Sequence, residues 1–335
     1  MPQHDHEQRK RRSRACGTSV KREAESVMMM REAFGNTIAE LMRKDERICV
    51  LDADLANCNG TAGLRKEFPE RAFDVGIAEQ NMASVAAGLS SYGFIPFISS
   101  FTPFATRRIC DQIAISIAYA KQNVKIVGSD PGISAQLNGG THMSMEDIGV
   151  LRSIPTMVIF EPVDNEQMIQ ALPQIVDYNG PVYIRMFRKE CPEVFGKDYK
   201  FDLFKADKIK EGKDVTIFAS GIMVKTSLDA AEKLKAEGID AEVINVHTIK
   251  PIDAETVVES LKKTKCAVVA ENHNVIGGLF SAVAETAAQN CPAPIIPVGV
   301  NDVFGEVGKL DVLAEKFGMT EKDVIEAAKK AVAAK

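Results

Sequence analysis

Apolar residues recur at helical spacing soon after residue 28, where Met30, Phe34, Ile38, Leu41 and Met42 share one face. The spacing predicts a helix beginning near Met28. The pattern then changes. Residues 47–54 form a short apolar run ending in two acids, Asp52 and Asp54, and read as a buried strand. Further apolar runs occupy 94–101, 124–128, 157–160 and 182–186, with helical stretches between most of them. Such alternation predicts a parallel sheet covered on both faces. Ligands of these sheets bind at the carboxyl ends of the strands. Asp54, Glu79, Phe101 and Asp130 all stand at or just after predicted strand ends.

The pattern lapses over 191–212 into proline, glycine and charged residues, and a second alternating unit follows. Strands are predicted at 215–221, 241–246, 266–271 and 294–300. Helices are predicted at 226–237, stopped by Gly238, and at 254–263, capped by Asp253. Gly277 and Gly278 open a small-residue helix. Thr320 opens the last one, with Asp323 placed as in a capping box. The expected fold class is α/β, as two three-layer domains over 28–195 and 213–335, the second smaller. A linker is expected over 196–212 and a disordered basic tail over 1–27.

Composition narrows the field of functions. At 335 residues, 45% hydrophobic and 26% charged, the chain has the make-up of an ordinary soluble globular protein with room for two cores. The net charge of −5 gives no general attraction to nucleic acid or anionic membrane, and no apolar run reaches spanning length. Seven scattered cysteines form no C-x-x-C pair, which argues against a metal knot or disulfide framework and fits free thiols in the cytoplasm. The block Arg9-Lys10-Arg11-Arg12-Ser13-Arg14 has no apolar segment beside it and is not a secretory signal. Met28, Met29 and Met30 are plausible translation starts.

Three stretches carry candidate chemistry. In the first, Phe73-Asp74-Val75-Gly76-Ile77-Ala78-Glu79-Gln80-Asn81-Met82, a strand end and tight turn lead to a small-residue helix with Glu79 in its first turn. A carboxylate there gains from the helix N-terminus whether or not it has a further role. The second stretch, 94–104, ends in Phe101 and Phe104, three apart, a spacing equally common among core aromatics. The third is Gly139-Gly140-Thr141-His142-Met143-Ser144-Met145-Glu146-Asp147-Ile148, where glycines bring backbone close to a ligand and a short turn presents an imidazole.

In that order and spacing, the glutamate, the paired phenylalanines and the Gly-Thr-His segment resemble the transketolase family of thiamine-diphosphate enzymes. The resemblance is to the C-terminal half, from about residue 28 to the end. It implies a pyrimidine-binding domain followed by a transketolase C-terminal domain. Glu79 would share a proton with the coenzyme's pyrimidine ring, a task that needs a dry carboxylic acid. Phe101 and Phe104 would flank that ring, and Asp54 matches the family's coenzyme-site acid. His142 would contact substrate and move protons. Arg31 and Arg185 match sugar-phosphate binders, where a guanidinium can donate two parallel hydrogen bonds. His247 and His273 fall in the second domain and read as structural.

Two departures touch substrate recognition. Most relatives have a histidine where this chain has Asp130. They also have Gly-Glu-Asp-Gly where this chain has Gln136-Leu137-Asn138-Gly139. Both changes implicate Asp130 and Asn138 in binding a sugar other than the usual pentose phosphates. No Gly-Asp-Gly segment for Mg²⁺ and diphosphate occurs, nor any P-loop or G-x-G-x-x-G. The resemblance therefore implies half an enzyme with no metal ligands of its own. An N-terminal partner subunit would supply the diphosphate and Mg²⁺ site, in a heterotetramer. Two other builds remain open: a deoxyxylulose-phosphate synthase or 2-oxoacid dehydrogenase β-like subunit, and a non-catalytic regulatory subunit.

Overall fold

The computed structural model describes residues 28–335; the tail expected over 1–27 lies outside the described residues. The described residues form twelve strands: β1 (Ile48–Asp52), β2 (Ala72–Asp74), β3 (Ile95–Phe101), β4 (Lys125–Ser129), β5 (Val158–Phe160), β6 (Val182–Met186), β7 (Asp207–Lys210), β8 (Val215–Ala219), β9 (Ala241–Asn245), β10 (Thr248–Lys250), β11 (Ala267–Asn274) and β12 (Ile295–Val300). They form a seven-stranded sheet in the order β10-β5-β6-β4-β3-β1-β2 and a five-stranded sheet in the order β12-β11-β8-β9-β7. All pairings are parallel except β10 with β5 and β7 with β9.

The first sheet is buried on both faces, and β3 shows how its sequence does this. Phe97 points into a cluster with Phe34, Ile38 and Met42 of the helix Met30–Lys44 and Leu172 of the helix Asn165–Asp177. Its neighbour Ile98 points the other way, toward Met82, Ala83 and Ala86 of the helix Glu79–Ser91 and toward Ile113 and Ile117. That alternation follows from the two-residue repeat of a strand. The small residues of the Glu79–Ser91 helix let it lie close to the sheet.

Most predicted elements are found within a few residues of their expected places. The Asp253 cap is present, its Oδ1 accepting the Thr256 N–H at 3.2 Å. The Thr320 N–H donates to Asp323 Oδ2 at 2.8 Å, completing the predicted capping box. The linker expected over 196–212 needs correction, because 207–210 is β7, an antiparallel edge strand of the second sheet. Tyr199 Oη in the same stretch donates to Asp207, and Gln167 of the first domain donates to both. The domains are also more entwined than the pattern predicts. β10 follows β9 of the second sheet yet pairs with β5 at the edge of the first. Among the described residues no helix is long and apolar enough to cross a membrane.

Candidate active site

β1, β3, β4 and β6 are neighbours in one parallel sheet, so their carboxyl ends open on the same edge. After β2 the chain turns at Gly76–Ala78 and starts the helix Glu79–Ser91 with Glu79 itself. The Glu79 side chain is buried at 5% exposure. Its carboxylate takes no hydrogen bond among the described residues. The nearest cation is Arg108, with Nη1 3.6 Å from Glu79 Oε2. The Arg108 guanidinium lies 5.5 Å over the Phe104 ring.

Phe101 ends β3 and Phe104 stands on the short helix Thr102–Ala105. Buried Thr102 fixes this corner, its Oγ1 donating to the Ser129 carbonyl at the end of β4 at 2.8 Å. Both rings meet His142 edge-on, with centroids 5.7 Å from Phe101 and 5.2 Å from Phe104. His142 Nδ1 is 2.9 Å from Thr141 Oγ1. The turn that presents it is packed hard against the second domain, where a Cβ on Gly140 would meet the Gly305 carbonyl at 2.3 Å.

Asp130 follows β4 with a left-handed backbone, φ 54°. Its N–H donates to the Met186 carbonyl of β6 at 3.0 Å. Its side chain is fully buried. Oδ2 accepts from Arg188 Nε at 2.5 Å, while Oδ1 has no partner among the described residues. Burial pushes the Asp130 carboxyl above its usual range, against the pull of Arg188. The Arg188 guanidinium lies 5.2 Å over the Phe101 ring. One cluster therefore joins Glu79, Arg108, Phe104, His142, Phe101, Arg188 and Asp130 through successive contacts.

The other expected site residues are less central. Asp54 follows β1 with φ 62°, exposed, its N–H donating to Asp74 Oδ1 at 3.1 Å. Arg31 is half-buried in the first turn of the helix Met30–Lys44, and its N–H donates to the Arg188 carbonyl at 3.3 Å. Asn138 is exposed on the loop that leads to His142. Arg185 requires a correction. It lies inside β6, flanked by β4 and β5, with no exposed surface. Its Nε donates to Asp147 Oδ2 at 2.7 Å and its Nη1 to Glu161 Oε1 at 2.5 Å, while Nη2 reaches the Asn272 carbonyl at 2.7 Å. All three nitrogens are engaged inside the protein, so it is not placed to take a substrate anion.

Arg188 and Arg108 were not among the expected residues. Both carried a signal. Arg188 stands two residues beyond the end of β6, where the strand-end rule looks for ligand contacts. Arg108 is four residues after Phe104, a spacing that lets side chains on helical turns meet.

The pyrimidine-binding domain model of transketolase matches residues 26–193, and the transketolase C-terminal domain model matches 204–324. The chain belongs to the transketolase family. Among its relatives is the 6-deoxy-6-sulfo-D-fructose transketolase subunit SqwH of Clostridium sp. (strain MSTE9), 53% identical over 299 residues that cover 89% of this chain and 93% of that one. A putative transketolase C-terminal section of Methanocaldococcus jannaschii is 42% identical, covering 88% and 93%. A solved structure described as a split gene transketolase, inactive β4 tetramer, superposes with a TM-score of 0.84 at 46% identity, covering 92% of this chain and 99% of that one. The chain thus has the extent of the separately encoded C-terminal subunits of this family.

Family membership implies thiamine diphosphate, and the site's donor set fits one end of it. A pyrimidine ring needs apolar faces and an acid able to share a proton with a ring nitrogen. Phe101 and Phe104 offer the first, and the buried Glu79 carboxylate, with no hydrogen bond among the described residues, offers the second. Among the described residues no group of three or more His, Cys, Asp or Glu side chains is placed to hold a metal ion.

Proposed function

We propose that this chain is the C-terminal subunit of a split, thiamine-diphosphate-dependent transketolase that transfers a two-carbon ketol unit between sugars. The convergence of Glu79, Phe101, Phe104 and His142 at one sheet edge carries the reading. Bound there, the coenzyme supplies the electron sink for cleaving the carbon–carbon bond beside a ketone. Glu79 shares a proton with the pyrimidine nitrogen. Phe101 and Phe104 hold the ring and exclude water. His142 holds or passes a proton at a sugar hydroxyl. The diphosphate and Mg²⁺ belong on an N-terminal partner subunit, in a cytoplasmic heterotetramer.

For substrate, we favour a sugar with an anionic terminus other than the usual pentose phosphates, with 6-deoxy-6-sulfo-D-fructose as the first candidate. The identity to SqwH and the Asp130–Arg188 pair support this choice. Arg188 spends Nε on Asp130 and keeps its terminal nitrogens free of hydrogen bonds among the described residues. Asp130 offsets part of its charge and fixes its direction.

The test is reconstitution with the diphosphate-carrying subunit and a ketose panel. Turnover of the sulfonated ketose well above that of xylulose 5-phosphate is expected; equal turnover of the two would remove the substrate assignment. Arg188→Ala is expected to raise KM for the anionic sugar about ten- to a hundredfold, since a hydrogen bond to a charged group is worth about 1.5–3 kcal/mol. The same variant should leave kcat within a few-fold. An unchanged KM would place the anion elsewhere.

A further inference from the structure

His142 rides on a loop whose neck is gripped by the second domain. The Gly132 N–H donates to the Ser144 carbonyl at 3.0 Å and closes the loop on itself. Beside that closure stands the carboxyl end of β11. Asn272 Oδ1 accepts the Ile133 N–H at 2.9 Å, and its Nδ2 donates to the Pro131 carbonyl at 2.9 Å. Two residues on, the Asn274 N–H donates to the Met145 carbonyl at 2.8 Å. The second domain therefore holds both strands of the neck. The loop's apolar residues Ile133, Ala135, Met143 and Met145 pack into the second sheet's core beside Ile217, Val243 and Val268.

The Asn272 amide is fixed in its turn. It is buried at 1% exposure, and its backbone carbonyl accepts from Arg185. Gly132 has φ +54°, and a Cβ there would fall 2.2 Å from Asn272 Oδ1. The backbone thus approaches this amide more closely than any side chain at 132 would permit. A buried amide with both ends engaged on loop backbone is costly to disturb.

We propose that Asn272 is a positioning residue for His142: the second domain, which offers no residue to the site cluster, sets the imidazole's place by holding residues 131–133. The proposal rests on the assignment of His142 to substrate proton transfer. Asn272→Ala is expected to lower kcat of the assembled enzyme by about 10²-fold, the scale of a misplacement near 1 Å. Gly132→Ala, which crowds the amide without removing it, should act in the same direction. If Asn272 works through His142, Asn272→Ala in a His142→Gln background should cost little more than His142→Gln alone.

Hydrogen exchange of the full chain gives a readout independent of activity. Peptides covering 131–146 should lose protection in Asn272→Ala while those of the first sheet keep theirs. Val298→Ala, in the second sheet's core, should lower stability without lowering kcat. Full additivity of the two losses would overturn the proposal. So would a kcat loss in Val298→Ala as large as in Asn272→Ala, or a loosened 131–146 segment with normal kcat. An unaffected kcat in His142→Gln alone would instead sink the catalytic reading of His142.

Discussion

Glu79→Gln is expected to lower kcat of the assembled enzyme by about 10²–10⁴-fold, the usual share of a positioned proton-transfer group. Glutamine keeps the size and the hydrogen-bonding oxygen of the side chain but cannot give up or accept the shared proton. The fold should hardly notice. Glu79 is the first residue of its helix and has one cation at 3.6 Å, on a half-exposed arginine. Losing a carboxylate at a helix start costs about 0.3–1 kcal/mol, well short of what would unfold a domain of this size. The measurement is steady-state turnover of the reconstituted enzyme beside a thermal melt of the same variant. Normal turnover with glutamine at 79 would end the coenzyme assignment. A large activity loss matched by an early melt would mean that Glu79 supports the fold instead.

Glu79, Phe101, Phe104 and His142 were legible because each lies in a short local motif at a strand end, and the order of those motifs is specific. The arginines show where that kind of reading fails. Arg185 and Arg188 sit three residues apart around the same strand end, and a motif match cannot tell which belongs to the site. The sheet decides it. Arg185 is registered opposite Gly128 of β4, inside a strand covered on both sides, while Arg188 lies beyond the ladder. Strand length to within two residues separates a buried structural ion from a site residue. β10 was illegible for another reason. Three residues with little pattern join a sheet whose other strands lie more than sixty positions away in sequence, and local periodicity does not encode such a pairing. The grip of Asn272 on Pro131 is long-range in the same sense. The missed contacts thus concentrate where the two domains meet, and there the sequence offers no repeat to read.

Arg185→Ala is expected to destabilise the chain by about 3–5 kcal/mol, the range for removing one partner of a buried ion network. The guanidinium is enclosed by Asp147 and Glu161, both buried. Tyr183 Oη donates to Asp147 at 2.8 Å, and Ser220 Oγ of the second domain donates to Glu161 at 2.7 Å. Without Arg185 two carboxylates remain in the interior with too few donors. Burial alone would raise the Asp147 carboxyl, but the Arg185 guanidinium overrides it and holds the group below its usual range. A depressed carboxyl contributes stability above its unfolded value near 3.8, and that contribution fades as pH falls through the lower folded value. In Arg185→Ala the depression is lost, so the acid limb of the stability curve should move to higher pH. His273 adds a loss of the same sign at higher pH. Burial lowers it to about 4, so the unfolded chain binds its proton first, and stability falls between the usual value of 6.5 and about 4. Arg185 also lowers His273, so its removal should shrink that second loss. Urea midpoints of wild type and Arg185→Ala across pH 4–8 read both effects. A loss under about 1 kcal/mol at pH 7, the level of an exposed pair, would show that the network does not hold the domains together.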